Sequence, residues 1–362
     1  MAGNESQSTR DIQILSALEE PALLLDANGR VFHANDAAHE YFGAWIDGQS
    51  YVSVLRQPDL LAPVESAFAR KAHGTARFSH SSGAVETLFD VTVSPLSSGK
   101  GRPFVLLVFR DVSALRNEES MRRDFVANVS HELKTPLTAI MGFIETLQGP
   151  ARRDPKAQAR FLGLMAQETG RMNRLVTDLL ALSRLEGLAR RKPTDAVDLR
   201  AVIGAAVDAL RPIADGVGVT LHIDAPDSAL VTGDHDQLVQ IAVNLIENGI
   251  KYGAQPGTVT VCLTPIKREP VLRSAAWRCE VRDNGPGIPP EHLPRLTERF
   301  YRVDTGRSRE QGGTGLGLSI VKHIVNRHRG RLRIDSREGQ GTVMTITLPR
   351  HEKQSADSGR LS

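Results

Sequence analysis

Two long stretches in which apolar residues recur at spacings of three and four restrict the fold of this chain more than any other feature. The first carries Phe125, Val129, Leu133, Leu137, Ile140, Ile144 and Leu147. The second carries Phe161, Leu164, Met172, Leu175, Leu179 and Leu182, with Glu168 on the same seam. That period is the signature of a helix with one apolar stripe, so the spacing predicts two long helices. Gly149–Pro150–Ala151–Arg152–Arg153–Asp154–Pro155 between them reads as a turn. A hairpin of two such helices carries more apolar stripe than one pair can hide, so a second copy is expected to complete a four-helix bundle. A purely structural coiled coil is the plain alternative.

The remaining residues need further domains. At 362 residues the chain suits two or three modules, each with its own core. With 45 basic against 42 acidic side chains, the net charge of +3 does not point to nucleic acid as the main partner. The basic runs Arg122–Arg123, Arg152–Arg153 and Arg190–Arg191–Lys192 fall at helix or linker edges and read as solvated. Cys262 and Cys279 are the only cysteines, with no further Cys to complete a zinc site or a disulfide framework, and a reducing cytoplasm is expected. The most continuous apolar run, Phe104–Phe109, has strand length rather than membrane length, and the polar start Met1–Arg10 lacks a signal-peptide core. A chain without a membrane span is therefore expected.

Before the hairpin, short strands and helices alternate. Ala22–Asn35 reads as strand, turn, strand, because Asn28–Gly29 supplies the positive φ of a tight hairpin. A helical stretch through Ala37–Phe42 follows, then strands near Ala76–His80, Thr87–Val93 and Phe104–Phe109. His33, His39, His73 and His80 are isolated and read as surface or core residues rather than haem or metal ligands. After the hairpin, Gly187–Asp195 breaks the pattern. From there, helices at Leu199–Leu210, Asp234–Tyr252 and Ser319–Asn326 alternate with strands at Val219–Ile223, Thr258–Leu263, Trp277–Arg282, Leu332–Ile334 and Thr342–Leu348. This order predicts helices layered over a mixed sheet.

Five short stretches carry chemistry. On the first long helix stands His131, with Glu132 beside it and Thr135 four residues on, hence on the same face; Pro136 should bend the helix just after them. An imidazole is largely neutral near about pH 7, so one nitrogen can attack while an acid holds the proton of the other. Asn244, Asn248, Lys251 and Tyr252 fall near one face of a helix, where amide oxygens can ligand Mg²⁺ and a lysine can meet phosphate. Asp283–Asn284–Gly285–Pro286–Gly287 ends a strand; its carboxylate can accept from an exocyclic amine, although an ordinary turn has the same composition. Gly312–Gly313–Thr314–Gly315–Leu316–Gly317–Leu318 opens a helix and suits a phosphate cradle, but is neither a Walker A loop nor Gly-x-Gly-x-x-Gly. Between the last two, Arg299–Asp304 precedes a polar Thr305–Gln311 that reads as a lid, with Arg302 or Arg307 available for a γ-phosphate.

In this order the motifs resemble those of the sensor histidine kinases of two-component systems over about 118–350, and the first hundred residues, ending in Asp111–Val112–Ser113, resemble a PAS domain. The resemblance implies a multidomain α+β chain: a PAS-like α/β sensor domain (11–113) after a flexible start (1–10), an antiparallel helical-hairpin dimerisation and phosphotransfer domain (114–188), a linker (189–196), an α/β-sandwich ATP-binding domain of the histidine kinase/Hsp90 type (197–350) and a disordered tail (351–362). It implies ATP and Mg²⁺ as cofactors, and a homodimer that passes phosphate to a response regulator. His131 would be the phosphorylated residue, Glu132 the acid that orients or deprotonates it and Thr135 the residue used in dephosphorylating the partner. Asn248 would ligand Mg²⁺ with support from Asn244, and Asp283 would read adenine. Gly313, Gly315 and Gly317 would form the phosphate loop, with Lys251, Tyr252, Gly285, Gly287, Arg302, Thr314, Leu316 and Leu318 completing the nucleotide site. Gly249, where the pattern usually has Ala, and Leu296–Thr297 before Glu298 are small departures. Leu296–Asp304 with Val321–His328 is most similar to phosphate-regulon sensor kinases. The rivals are another ATPase of the same nucleotide fold, which predicts no His-Glu-x-x-Thr helix, and a non-enzymatic dimeric scaffold, which predicts a lost ATP-site group.

Overall fold

The computed structural model describes residues 13–82, 85–97, 103–187, 192–303 and 313–351. The expected flexible start over 1–10, the run Arg190–Arg191, the lid stretch Thr305–Gln311 with Arg307, Gly312 and the tail from 352 lie outside them. The chain divides into two compact units, residues 1–127 and 128–362.

The first unit is built on a five-stranded sheet, β1 (Ala22–Leu25), β2 (Val31–Ala34), β3 (Gly74–Ser82), β4 (Val85–Ser97) and β5 (Pro103–Asp111), in the order β2-β1-β5-β4-β3 with every pair antiparallel. Alternation sets its core: Phe89, Val91 and Val93 on β4 and Val105, Leu107 and Phe109 on β5 point to one buried face. Phe42, Phe78, Phe89 and Phe109 meet there edge to face or tilted. The β1–β2 turn forms as the sequence predicts: Gly29 takes φ +70° while Asp26 Oδ1 accepts from the N–H groups of Asn28 and Arg30. Three helices lie between β2 and β3: α1 (Asp36–Phe42), α2 (Tyr51–Leu55) and α3 (Pro58–Arg70). The last two escape the sequence reading because α2 is barely one turn and α3 carries Pro58 and Pro63. Asn35 caps α1 and is 1% exposed; its Oδ1 accepts from Ala22 and Ala38 N–H, and its Nδ2 donates to the carbonyls of Leu18 and Glu20.

The two long helices are α4 (Ser113–Gln148) and α5 (Pro155–Gly187). Asp154 starts α5 by accepting from the N–H groups of Lys156 and Ala157, and Phe143 meets Phe161 across the hairpin at 5.6 Å between ring centroids. α4 continues through Pro136, which removes only the N–H that would bond the Glu132 carbonyl. The α5 seam faces inward as the spacing predicts, with Leu175 and Leu182 fully buried. On α4 the stripe exceeds what one partner helix hides, as the spacing predicts: Leu137 and Ile144 are exposed, together with Val126 and Met141, and Leu162, Val176 and Leu180 are exposed on α5. The apolar stripe is wider than one partner helix covers.

The rest of the second unit is a five-stranded sheet in the order β11-β12-β10-β9-β7, from β7 (Val219–Asp224), β9 (Gly257–Ile266), β10 (Ala276–Asp283), β11 (Arg331–Arg337) and β12 (Gly341–Pro349). Only β7–β9 is parallel, which makes the sheet mixed. The helices α6 (Leu199–Gly216), α7 (His235–Tyr252) and α8 (Gly317–Arg327) supply the apolar layer that covers it. Two short strands absent from the sequence reading, β6 (Ala196–Asp198) and β8 (Leu230–Thr232), pair beside it; three residues give no periodicity to read. Asp198 and Asp234 cap α6 and α7. Burial pushes the Asp198 carboxyl up, but bonds from the N–H groups of Ala229, Arg200 and Ala201 and from Ser228 outweigh it and hold the group below its ordinary value. Gly249 has a packing reason: a methyl group there would lie 3.0 Å from Val259 Cγ2.

Candidate active site

A cleft of about 460 Å³ opens where α7, the end of β10 and the start of α8 converge. On α7 the helical spacing aligns Asn244, Glu247, Asn248, Lys251 and Tyr252 along its wall. The β10 exit contributes Asp283, Pro286, Gly287 and Ile288; the loop into α8 contributes Gly313, Thr314, Gly315, Gly317 and Leu318; and Leu296, Tyr301, Arg302 and Val303 close a further side. Stretches far apart in sequence thus share one cavity. Of the residues predicted to bind nucleotide, two do not line it. Gly285 packs against backbone, where a methyl group would lie 2.7 Å from Gly253 Cα, and Leu316 is fully buried in the core.

Several contacts define what each wall can do. Asp283 Oδ1 accepts from the N–H groups of Gly285 (2.9 Å) and Thr342 (3.3 Å), which fixes the carboxylate at the cleft wall. Burial raises its carboxyl above the ordinary value against the pull of those two N–H groups. Asn244 Nδ2 donates to the Gln240 carbonyl, and its Oδ1 sits so near the start of α8 that a methyl group on Gly317 would come within 2.7 Å. α6 and α7 have aspartate caps, but α8 has Leu316 at that position and no side-chain cap, so its first-turn N–H groups remain for an anion. Gly315 needs its glycine: it has φ +72°, and the Phe300 backbone lies 2.9 Å from where its Cβ would be. Phe300 N–H donates to the Gly315 carbonyl, which ties the Arg299–Val303 stretch to the glycine loop. Lys251, expected to meet phosphate, pairs with Glu247 at 2.8 Å.

The hairpin supplies the far wall, through Asn173, Arg174, Thr177 and Asp178 of α5. Asp178 Oδ2 accepts from the Thr314 hydroxyl at 2.7 Å. Burial first, and the Glu247 carboxylate after it, raise the Asp178 carboxyl; Thr314, Lys251 and Arg174 oppose them. His131, Glu132 and Thr135 do not line the cleft but are joined to it. Arg302 bonds the Gly313 carbonyl and reaches Glu132 Oε2 at 3.4 Å, and the same oxygen accepts from Arg171 Nη2 at 2.6 Å. His131 itself is exposed, and Thr135 Oγ1 donates to the His131 carbonyl at 3.1 Å, confirming their shared helical face. Sequence reasoning missed Glu247, which is legible as the i+3 neighbour of Asn244, and all the α5 residues, for which no local signal exists.

The site's oxygen donors also suit a hard cation. The amide of Asn248 and the carboxylate of Glu247 face one cleft. Such oxygens suit an ion held jointly by one or two side chains and by substrate phosphates, as Mg²⁺ is.

Three families match the chain: the PAS fold over residues 11–112, the His Kinase A (phospho-acceptor) domain over 121–188, and the histidine kinase-, DNA gyrase B- and HSP90-like ATPase over 233–352. The phosphate regulon sensor protein PhoR of Pseudomonas aeruginosa is 34% identical over 333 residues, which are 91% of this chain and 72% of the relative. A sensor protein kinase WalK of Staphylococcus aureus is 33% identical over 353 residues, 96% of this chain and 82% of the relative. The solved structure of the histidine kinase ThkA in complex with response regulator protein TrrA shares the fold, with a TM-score of 0.52 over 94% of this chain and 98% of that one at 21% identity. The chain belongs to the sensor histidine kinases of two-component systems.

Proposed function

We propose that the chain binds ATP in the cleft, transfers the γ-phosphoryl group to His131 and passes it to an aspartate of a response regulator, acting as a homodimer in the cytoplasm. One observation carries this reading: the cleft that gathers the α7 amides, Asp283 and the α8 glycine loop is joined through Arg302 to the acid next to an exposed histidine. Residues 11–113 would sense, 114–188 dimerise and carry the phosphoryl group, and 197–350 deliver it.

Asp283 accepts from the adenine amine, and its own backbone bonds preset its orientation. The uncapped first turn of α8 and Gly313, Gly315 and Gly317 receive the phosphates. Asn248 holds Mg²⁺, with Asn244 supporting it and Glu247 beside it; the ion, when bound, neutralises charge on the phosphate oxygens. One nitrogen of His131 attacks the γ-phosphorus as the bond to the leaving ADP oxygen breaks, and Glu132 takes or holds the proton on the other nitrogen. Thr135, one helical turn on, orients water when the regulator is dephosphorylated. The exposed residues Val126, Leu137, Met141, Ile144, Leu162, Val176 and Leu180 supply an apolar face for a second copy. Similarity to PhoR supports phosphate limitation as the signal read.

Incubation with γ-labelled ATP and Mg²⁺ tests this. Acid-labile, alkali-stable label is expected on the wild type and not on His131→Ala; label that survives in His131→Ala, or none on the wild type, overturns the reading.

A further inference from the structure

We infer that Arg171 is the positioning residue for the acid beside the phosphoacceptor. From the second hairpin helix it holds the Glu132 carboxylate in the orientation from which Glu132 serves His131. This rests on the reading of His131 as the phosphorylated residue and Glu132 as its acid.

Arg171 is 9% exposed, which is unusual for a guanidinium on a largely solvated hairpin, and a buried cation must be paired. Its Nη2 lies 2.6 Å from Glu132 Oε2, and its Nη1 lies 4.0 Å from the buried Oε2 of Glu168, three residues earlier on the same helix. Glu132 follows His131 directly, so its Cβ points about 100° around the helix from the imidazole. A carboxylate on a flexible stem must be held to one rotamer before it can orient a neighbouring ring. The planar guanidinium fork does so better than a lysine, because it offers several donors in fixed directions.

Arg302 shares the same Glu132 oxygen at 3.4 Å, but it comes from the nucleotide module, next to the glycine loop. Arg171 belongs to the same hairpin as Glu132, so its grip does not depend on where the nucleotide module docks. The division of roles follows: Arg171 fixes Glu132 within the hairpin, and Arg302 brings the phosphate end of the cleft to that fixed carboxylate.

The test uses the full chain and three variants, Arg171→Met, Arg171→Lys and Glu132→Gln/Arg171→Met, beside Glu132→Gln and His131→Ala. Arg171→Met is expected to slow labelling at saturating ATP about tenfold or more. Its affinity for a fluorescent ATP analogue should stay within about twofold of wild type and its dimer should remain intact, which is the split expected when only the chemical step is touched. Arg171→Lys should recover part of the rate. The double variant should label no more slowly than Glu132→Gln alone, because Arg171 acts through Glu132. Three outcomes overturn the inference: Arg171→Met labelling at the wild-type rate, losses that multiply in the double variant, or nucleotide affinity and dimer lost in step with labelling. Wild-type protein that takes no His131-dependent label fails the kinase reading itself, a result distinct from all three.

Discussion

In the proposed function, Gly317 and Asp283 each tie a single side-chain position to the nucleotide. A methyl group on Gly317 would sit 2.7 Å from Asn244 Oδ1, at the start of α8. Gly317→Ala should therefore weaken binding of a fluorescent ATP analogue about tenfold, while the melting temperature barely falls, because alanine is the better helix residue by about 1 kcal/mol. At Asp283 two N–H groups fix Oδ1. In Asp283→Asn the amide oxygen must take that place, which turns the NH₂ toward the adenine amine, donor against donor. Loss of a hydrogen bond to a charged group predicts about tenfold to hundredfold weaker ATP binding. Stability should move the other way. Burial raises the Asp283 carboxyl above its unfolded value, so this acid favours folding below the unfolded pKa and the benefit is lost as pH rises through the folded one. Near neutral pH the nucleotide-free variant should thus melt higher than wild type. Asp283 is legible in the sequence as a carboxylate at a strand end beside the Gly285 turn, but its Thr342 N–H donor is not, since Thr342 lies on another strand.

The joint between α7 and α8 depends on one imidazole. His328 Nδ1 bonds the Ile324 carbonyl and its Nε2 accepts from Asp234 N–H at 3.0 Å, so the ring is neutral with the proton on Nδ1. Burial lowers its pKa, with Arg327 acting in the same sense and the Ile324 carbonyl and Asp234 opposing. A histidine with a lowered folded pKa contributes stability above its unfolded pKa and loses it as pH falls through the folded one. Between about pH 7 and about pH 5 the urea midpoint of the second unit should fall more in wild type than in His328→Gln. The hairpin makes a prediction at the same scale. Ile144→Asp/Leu180→Asp places two charges on the exposed apolar stripe and touches neither fully buried Leu175 nor Leu182. Light scattering should show a monomer with unchanged helical circular dichroism; a dimer that survives would sink the proposed four-helix bundle. The period of the seam and its excess over one helix pair are plain in the sequence, but which residues stay exposed is not, because spacing gives a helix's face and not how much of it a neighbour covers.

Across the whole molecule, the residues legible in the sequence are those whose partners are local: amides four apart on α7, glycines that open α8, a histidine and threonine one turn apart on α4. What the sequence does not show is which distant groups meet them. Arg171 lies 39 residues from Glu132, and Thr314 lies 136 residues from Asp178, with no period linking either pair. Those long-range contacts bear on which histidine the cleft would serve. In one chain, Arg302 of the nucleotide module reaches Glu132 at 3.4 Å, Thr314 bonds Asp178, and the cleft's far wall is the chain's own α5. Contacts on two helices of the same hairpin seat the phosphate end of the cleft beside that chain's own His131. A dimer arranged this way should phosphorylate within each subunit. Mixed dimers of His131→Ala and Asn248→Ala test it, since each subunit lacks what the other retains. If transfer stays within the chain, neither subunit can be labelled, and mixing the variants should give no more label than either alone. Label appearing on the Asn248→Ala subunit would mean that the cleft serves the partner's histidine, and that the Arg302–Glu132 contact belongs to a docked state other than the one that transfers phosphate.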